Sequence, residues 1–393
     1  MSQDSIVIVS AARTPMGGMM GALSDVRSPD LCATAIKAAL ERAGVQGDEV
    51  DEVIMGCVLP AGLGQAPARQ AARGAGIHDA AGATTVNKMC GSGMKAVMLA
   101  HDQLKAGQVD IMVAGGMENM SQAPYLLPKA RAGMRMGHQQ AIDHMFFDGL
   151  EDAYDGGLMG SFAQQSADDF NVTREAMDDF AIGSLEKALK AIETGRFKDE
   201  IAAVTVKSRK GDTVVDTDEQ PGNAQVEKIR KLNPAFKKEG TITAANSSSI
   251  SDGGSALVLM RESEAQKRGL KPMARIVAHS THAQLPAEFS IAPIGAISKV
   301  LERAGWSKDD VDLYEINEAF AVVSMLAISE LGLDASKVNV NGGACALGHP
   351  IGSSGSRILV TLLYALKNLG KKTGVATLCI GGGEATAVAV EML

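Results

Sequence analysis

Aromatic residues are nearly missing from this chain: tryptophan occurs once, and Phe, Trp and Tyr together make up 4% of its 393 residues. A core with so few large rings has to be packed from Ala and Gly, with the 20 methionines filling irregular gaps. Cysteine is also scarce. The five, at positions 32, 57, 90, 345 and 379, are too few, too scattered and odd in number for a disulfide framework, which favours a reducing compartment, the cytoplasm. No excess of basic charge exists: 38 Lys and Arg against 46 Asp and Glu leave −8, which opposes a general affinity for nucleic acid or an anionic membrane. No apolar run reaches 18 residues, so no transmembrane helix is expected. The polar opening before Ile6-Val7-Ile8-Val9 lacks the layout of a signal peptide. What is present is 46% apolar residue and 43 glycines without a three-residue period, which excludes a disordered chain and collagen. At about 150 residues per domain, the length suggests two or three domains.

The chain carries an internal duplication. Residues 35–56 read AIKAALERAGVQGDEVDEVIMG and residues 296–317 read AISKVLERAGWSKDDVDLYEIN; offset by 261 positions, ten of the 22 pairs are identical. Both copies read as a helix closed by glycine, then a turn and an apolar strand. Upstream, a strand at 6–10 corresponds to one at 274–278. Downstream, Cys90-Gly91-Ser92-Gly93 opens a helix ending near Gly107, before a strand at 111–114. Likewise Gly352-Ser353-Ser354-Gly355 opens a helix running towards Gly370, before a strand at 375–378. Two such halves make an α/β fold with largely buried sheets. Between them, residues 117–160 read as loop, and 166–240 are strongly charged, with a helix over 174–192 capped by Thr173 and stopped by Gly195. The expected units are 1–118 continued by 250–270, an inserted loop domain over 119–249, and 271–393. The insert reads as a substrate-binding lid or as an oligomerisation appendage.

Four places could do chemistry. Cys90 precedes a helix, where the positive end of the dipole favours a thiolate, and its flanking glycines allow close approach of a bound group. His349 stands before Pro350, which restricts it to extended backbone and so aims the imidazole; histidine is the natural base for a thiol near neutral pH. Cys379 ends a strand and is followed by Gly381-Gly382-Gly383, whose N–H groups could form an oxyanion site. Asn317 and Glu318 end the strand of the second repeat. Each also has a bland reading, as a core cysteine, a loop histidine or ordinary turn residues. Gly91-Ser92-Gly93-Met94-Lys95-Ala96 fits a dinucleotide fingerprint, but it falls far from the first strand, and Asp110 begins the next strand where a ribose-binding acid should end it. A zinc site from Cys90, His349 and Cys379 lacks C-x-x-C or H-x-x-x-H spacing. A catalytically silent scaffold stays open at this point.

At these motifs the chain resembles the thiolases, along essentially its whole length. Cys90-Gly91-Ser92-Gly93, Asn317-Glu318-Ala319-Phe320, Gly342 to Gly352 with His349, and Cys379-Ile380-Gly381-Gly382-Gly383 resemble the family's four active-site blocks, in order; 64–70 is similar to a further segment. The resemblance implies a five-layered αβαβα fold with a loop domain inserted in the first half. It implies that Cys90 takes an acyl group from coenzyme A, that His349 activates it, and that Cys379 deprotonates a second acetyl-CoA. Asn317 would hold a water that, with His349, stabilises the enolate, while the N–H groups of Cys90 and Gly381 would hold the other oxyanion. Leu150, Met159, Phe236, Ala244, Ser248, Ala319 and Phe320 would line the pantetheine channel. The implied reaction joins two acetyl-CoA into acetoacetyl-CoA and CoA, or runs in reverse, with CoA as substrate and neither metal nor redox cofactor; the alternative is a degradative enzyme for longer 3-ketoacyl chains. Residues 117–136 resemble the family's tetramerisation loop, implying a homotetramer, a dimer of dimers. Two departures bear on chain length and CoA affinity: Leu158 stands where short-chain members usually carry His, and the loop 218–223 is shortened and lacks an Arg.

Overall fold

A computed structural model describes residues 4–393. Its longer central strands are β1 (Ile6–Arg13), β2 (Glu52–Gly56), β3 (Gly82–Val86), β4 (Ile111–Asn119), β5 (Ser251–Arg261), β6 (Ala274–Ala283), β7 (Leu313–Ile316), β8 (Thr373–Ile380) and β9 (Glu384–Met392). They run in the order β7-β8-β9-β6-β1-β5-β4-β2-β3. The two ends of this order are the sheets of the two halves of the chain. Among the described residues they are joined where β1 touches β6, through the pairs Val7↔Arg275 and Ile8↔Ala274. Within each sheet parallel pairs (β2 with β3 and β4, β7 with β8) sit beside antiparallel ones.

Strand periodicity sorts the side chains into layers. Ile6 and Ile8 face a central core, and Val7 and Val9 face an outer one; Met112, Ala114, Leu257 and Leu259 likewise point inwards while Ile111, Val113, Ala256 and Val258 point out. In the second half Ala376, Leu378, Val388 and Val390 join the central core, and Val375, Ala385, Ala387 and Ala389 an outer one. Helix α1 (Ser28–Ala43) covers the first sheet and α4 (Ala292–Ala304) the second. Both end in a left-handed glycine, Gly44 at φ +68° and Gly305 at φ +68°, the closure the repeat predicts. Between the sheets lie α2 (Ser92–Lys105) and α5 (Ile351–Leu369). The result is the αβαβα thiolase fold. Helix α5 is buried continuously from Ile351 to Leu366, so it presents no solvent face at all until its last turn.

The inserted segment adds no strand to the central sheets. Its helix α3 (Arg174–Glu193) begins as read, with the Thr173 hydroxyl accepting from the Ala176 N–H, and Gly195 follows it at φ +71°. The loop 218–223 behaves otherwise. Glu219–Asn223 is a short helix, and Asp218 is buried where the Arg13 guanidinium donates to both its oxygens at 2.7 and 2.9 Å. Arg13 also pairs with Glu200 at 2.5 Å. These contacts, between residues about two hundred positions apart, have no local signal in the sequence, and they pin the insert to the end of β1. Residues 117–160, read as loop, contain a one-turn π-helix at Phe146–Leu150, a geometry frequent at functional sites.

Glycine lets the two central helices touch. A Cβ on Gly93 would lie 2.5 Å from Ser356 Oγ and 2.9 Å from its backbone nitrogen, and one on Gly355 would lie 2.5 Å from the Met94 nitrogen. We therefore expect Gly355→Val to cost about 3 kcal/mol or more by overpacking against backbone. Urea unfolding checks this; an unchanged midpoint would contradict the packing described.

Candidate active site

Cys90 sits two residues before α2, on a turn locked by its own sequence. Ser92 Oγ accepts from the Lys88 N–H at 2.8 Å and donates to the Met89 carbonyl at 2.6 Å. Met89 is held at φ +47°, a left-handed conformation that a non-glycine residue adopts at a cost. Two residues on, glycine leaves room for a neighbour: a Cβ on Gly91 would stand 2.4 Å from Ile380 Cδ1. The end of β8 thus presses directly against the Cys90 turn. In that arrangement the N–H groups of Gly381 and of Cys90 itself lie close enough to the Cys90 sulfur to favour its charged form.

His349 precedes α5 as Cys90 precedes α2. Its N–H is held by the Ser249 carbonyl at 3.2 Å and Ser251 Oγ at 3.1 Å. Nδ1 lies 2.5 Å from Ser354 Oγ, whose own proton is committed to the Pro350 carbonyl at 3.0 Å. Ser354 must then accept from Nδ1–H, which leaves the lone pair on Nε2. Nε2 is buried and has no hydrogen-bond partner. Asn317 packs behind the ring, its Nδ2 3.5 Å from Nδ1, while Arg357 reaches its Oδ1 at 3.5 Å. Glu318 holds the same turn: its carboxylate accepts from Ser184 Oγ at 2.7 Å, Asn339 Nδ2 at 2.8 Å and the Cys345 N–H at 3.1 Å.

Cys90, His349, Cys379 and Gly381 line one cavity of about 240 Å³. Leu150, Met159, Phe236, Ser248, Ala319 and Phe320 line it too, as does Leu158. Two expected residues stand elsewhere. Asn317 is buried behind His349 rather than on the cavity wall, and Ala244 lines an adjoining groove of about 360 Å³ that shares Ser247 and Ser249 with the cavity. The backbone turn over 243–246, in which the Thr243 N–H donates to Asn246 Oδ1, carries Ala244 past the reacting end. Sequence reasoning missed Ser354 and Arg357. Both lie one or two turns into α5, in a run that reads as small residues followed by core.

A family profile described as "Thiolase, N-terminal domain" matches residues 6–263, and "Thiolase, C-terminal domain" matches 270–392. The chain belongs to the thiolase family. It is 50% identical over 392 residues to an acetyl-CoA acetyltransferase of Syntrophomonas wolfei, covering 99% of each chain. It is 51% identical over 394 residues to the acetyl-CoA acetyltransferase of Rhizobium meliloti, covering 100% of each. The crystal structure of the Bacillus anthracis acetyl-CoA acetyltransferase superimposes with a TM-score of 0.97 at 42% identity, covering 100% of this chain and 99% of that one.

The electrostatics of this thiolase site are governed by burial. Burial pushes the Cys90 thiol up to about 11, against the pull of the Gly381 and Cys90 N–H groups. Desolvation thus opposes the thiolate that the helix start favours. Burial, reinforced by the Arg357 charge, lowers His349 to about 3, so the imidazole is neutral throughout the physiological range. Cys379 is raised well above its ordinary value by burial and by the neighbouring Cys90. The free enzyme thus holds a neutral thiol and a neutral base rather than a preformed ion pair. Alkylation of Cys90 by iodoacetamide should accordingly rise about tenfold per pH unit from pH 7 to 9. A plateau below pH 8 in timed mass spectra would mean that the thiolate exists beforehand.

Proposed function

We propose that this thiolase is an acetyl-CoA C-acetyltransferase, an acyltransferase that condenses two acetyl-CoA into acetoacetyl-CoA and CoA and also runs the reverse thiolysis. The observation that carries the reading is the meeting of two cysteines and a histidine with a free Nε2 on the wall of one cavity. Cys90 Sγ attacks the acetyl thioester while Nε2 of His349 accepts its proton; the C–S bond to CoA breaks as the Cys379 thiol gives its proton to the CoA sulfur, which leaves Cys379 as a thiolate. Cys379 then removes a proton from the methyl group of a second acetyl-CoA. The resulting carbanion attacks the acetyl-Cys90 carbonyl, a C–C bond forms, and the Cys90–acyl bond breaks as Cys90 Sγ recovers its proton from His349. Gly381 and Cys90 N–H groups stabilise the oxyanion on the Cys90 side, a role in which one donor is worth about 100- to 1,000-fold in rate. His349 serves the enolate oxygen, with Asn317 packed behind its ring. CoA enters as substrate, and the scheme calls on no metal and no redox cofactor.

Leu150, Met159, Phe236, Ser248, Ala319 and Phe320 take the pantetheine and acyl end, and Ala244 the part running into the adjoining groove. The units proposed are 1–118 continued by 250–270, the insert 119–249, which contributes much of this lining, and 271–393. A homotetramer and a reducing, cytoplasmic setting complete the reading. It is supported by five unpaired cysteines and by exposed Tyr125, Leu127 and Met136 within 117–136. No helix among the described residues is long and apolar enough to cross a membrane.

The acetyl assignment predicts that acetoacetyl-CoA is cleaved by CoA, without nicotinamide, at least tenfold faster than an eight-carbon 3-ketoacyl-CoA. Thiolysis followed at 303 nm or by chromatography decides it. Faster cleavage of the longer chain would move the enzyme to the degradative class.

A further inference from the structure

Away from the active site, His101 and Asp102 on α2 and His279 on β6 form a group whose donor atoms all lie within 4.8 Å of one another. Asp102 Oδ1 stands 3.0 Å from His101 Nδ1 and 2.9 Å from His279 Nε2. The two imidazoles meet edge to face, with centroids 4.9 Å apart and planes at 84°. Two imidazoles on one tetrahedral ion, with metal–nitrogen bonds of about 2.0–2.1 Å, bring their centroids to roughly 5 Å. The two carboxylate–nitrogen distances need only open by a few tenths of an ångström to admit the ion.

We propose that His101, Asp102 and His279 bind one zinc-class divalent cation, which clamps the central helix of the first half to the sheet of the second. The donor set, two imidazole nitrogens and one carboxylate oxygen, suits zinc and its neighbours; calcium and magnesium want oxygen throughout. Water would complete the tetrahedron, because Asp102 lies at the surface while both imidazoles are half-buried. The frame around the group is held. Arg303 Nη1 donates to the His279 carbonyl at 2.7 Å, and Lys105, one turn along α2, is directed to the Asp4 carbonyl at 2.8 Å. His279 Nδ1 is buried without a partner, so Nε2 alone fixes that ring. His101 lies ten residues beyond Gly91, about 15 Å along the helix axis, which separates this group from the reacting cysteines. Its effect is therefore on stability and not on turnover.

The test uses full-length protein stripped with chelator and carbamidomethylated at Cys90, so that the active-site thiol cannot bind the probe. Titration with Co²⁺ should give one equivalent with visible d–d bands, no thiolate-to-cobalt charge-transfer band, and displacement by Zn²⁺. Asp102→Asn, altered at a half-exposed side chain, and His279→Gln should each bind at least tenfold more weakly, while untreated samples of both keep wild-type thiolysis. Zn²⁺ should raise the unfolding temperature of the wild type by a few degrees and leave Asp102→Asn unmoved. If His279→Gln does not fold, Asp102→Asn carries the test alone. Absence of d–d bands at tenfold excess of metal, a charge-transfer band, or equal affinity in Asp102→Asn would overturn the proposal.

Discussion

The close approach of α2 and α5 is the constraint on which the rest of the molecule depends. Two helices packed backbone to backbone need glycine at the crossing, and Gly93 and Gly355 supply it. Gly116 completes the contact: a Cβ there would stand 2.1 Å from the Gly352 carbonyl oxygen. Because the crossing lies in the first turns of both helices, the residues just before them meet. Cys90 and His349 occupy those positions. The duplicated fold thus delivers Cys90 from one half and His349 from the other to the same cavity, and β8 closes it with Cys379 and Gly381.

Glu118 fastens the same junction. It is buried at the end of β4 and accepts N–H groups from Val58 at 2.9 Å, Leu59 at 3.2 Å and Gly352 at 2.9 Å, joining a loop of the first half to the start of α5. Burial raises its carboxyl to about 7, which tells how dry this region is. The same dryness keeps Cys90 and His349 neutral at rest. A neutral pair avoids holding separated charges out of water before substrate arrives; in the proposed reaction the proton moves as the thioester carbonyl develops charge.

Much of this was legible in the sequence, for identifiable reasons. A repeat of ten identities in 22 positions revealed two halves, since helix-closing glycines and strand starts are local features. Cys90, His349 and Cys379 stood out because glycine surrounds them, and glycine marks close approach. Other features had no local signature. The Arg13–Glu200–Asp218 cluster joins distant segments, so 218–223 read as a loop although Asp218 is one of its anchors. Ser354 and Arg357 read as filler because their partners, His349 and Asn317, face them only once α5 is docked. The opposing pull of burial on Cys90 was not legible, because sequence conveys a helix start but not what surrounds it. Ala244 went to the adjoining groove because a turn, not the order of residues, decides which wall it reaches.

The central claim is a division of labour: Cys90 carries the acyl group and Cys379 takes the methyl proton. It is tested most directly by incubating Cys379→Ala with acetyl-CoA in D₂O and weighing both protein and thioester. The account predicts an acetyl adduct on Cys90 and no enzyme-dependent deuterium in the methyl group, where the wild type shows both adduct and exchange. Deuterium entering at the wild-type rate in that variant, or an adduct on any residue other than Cys90, would contradict it.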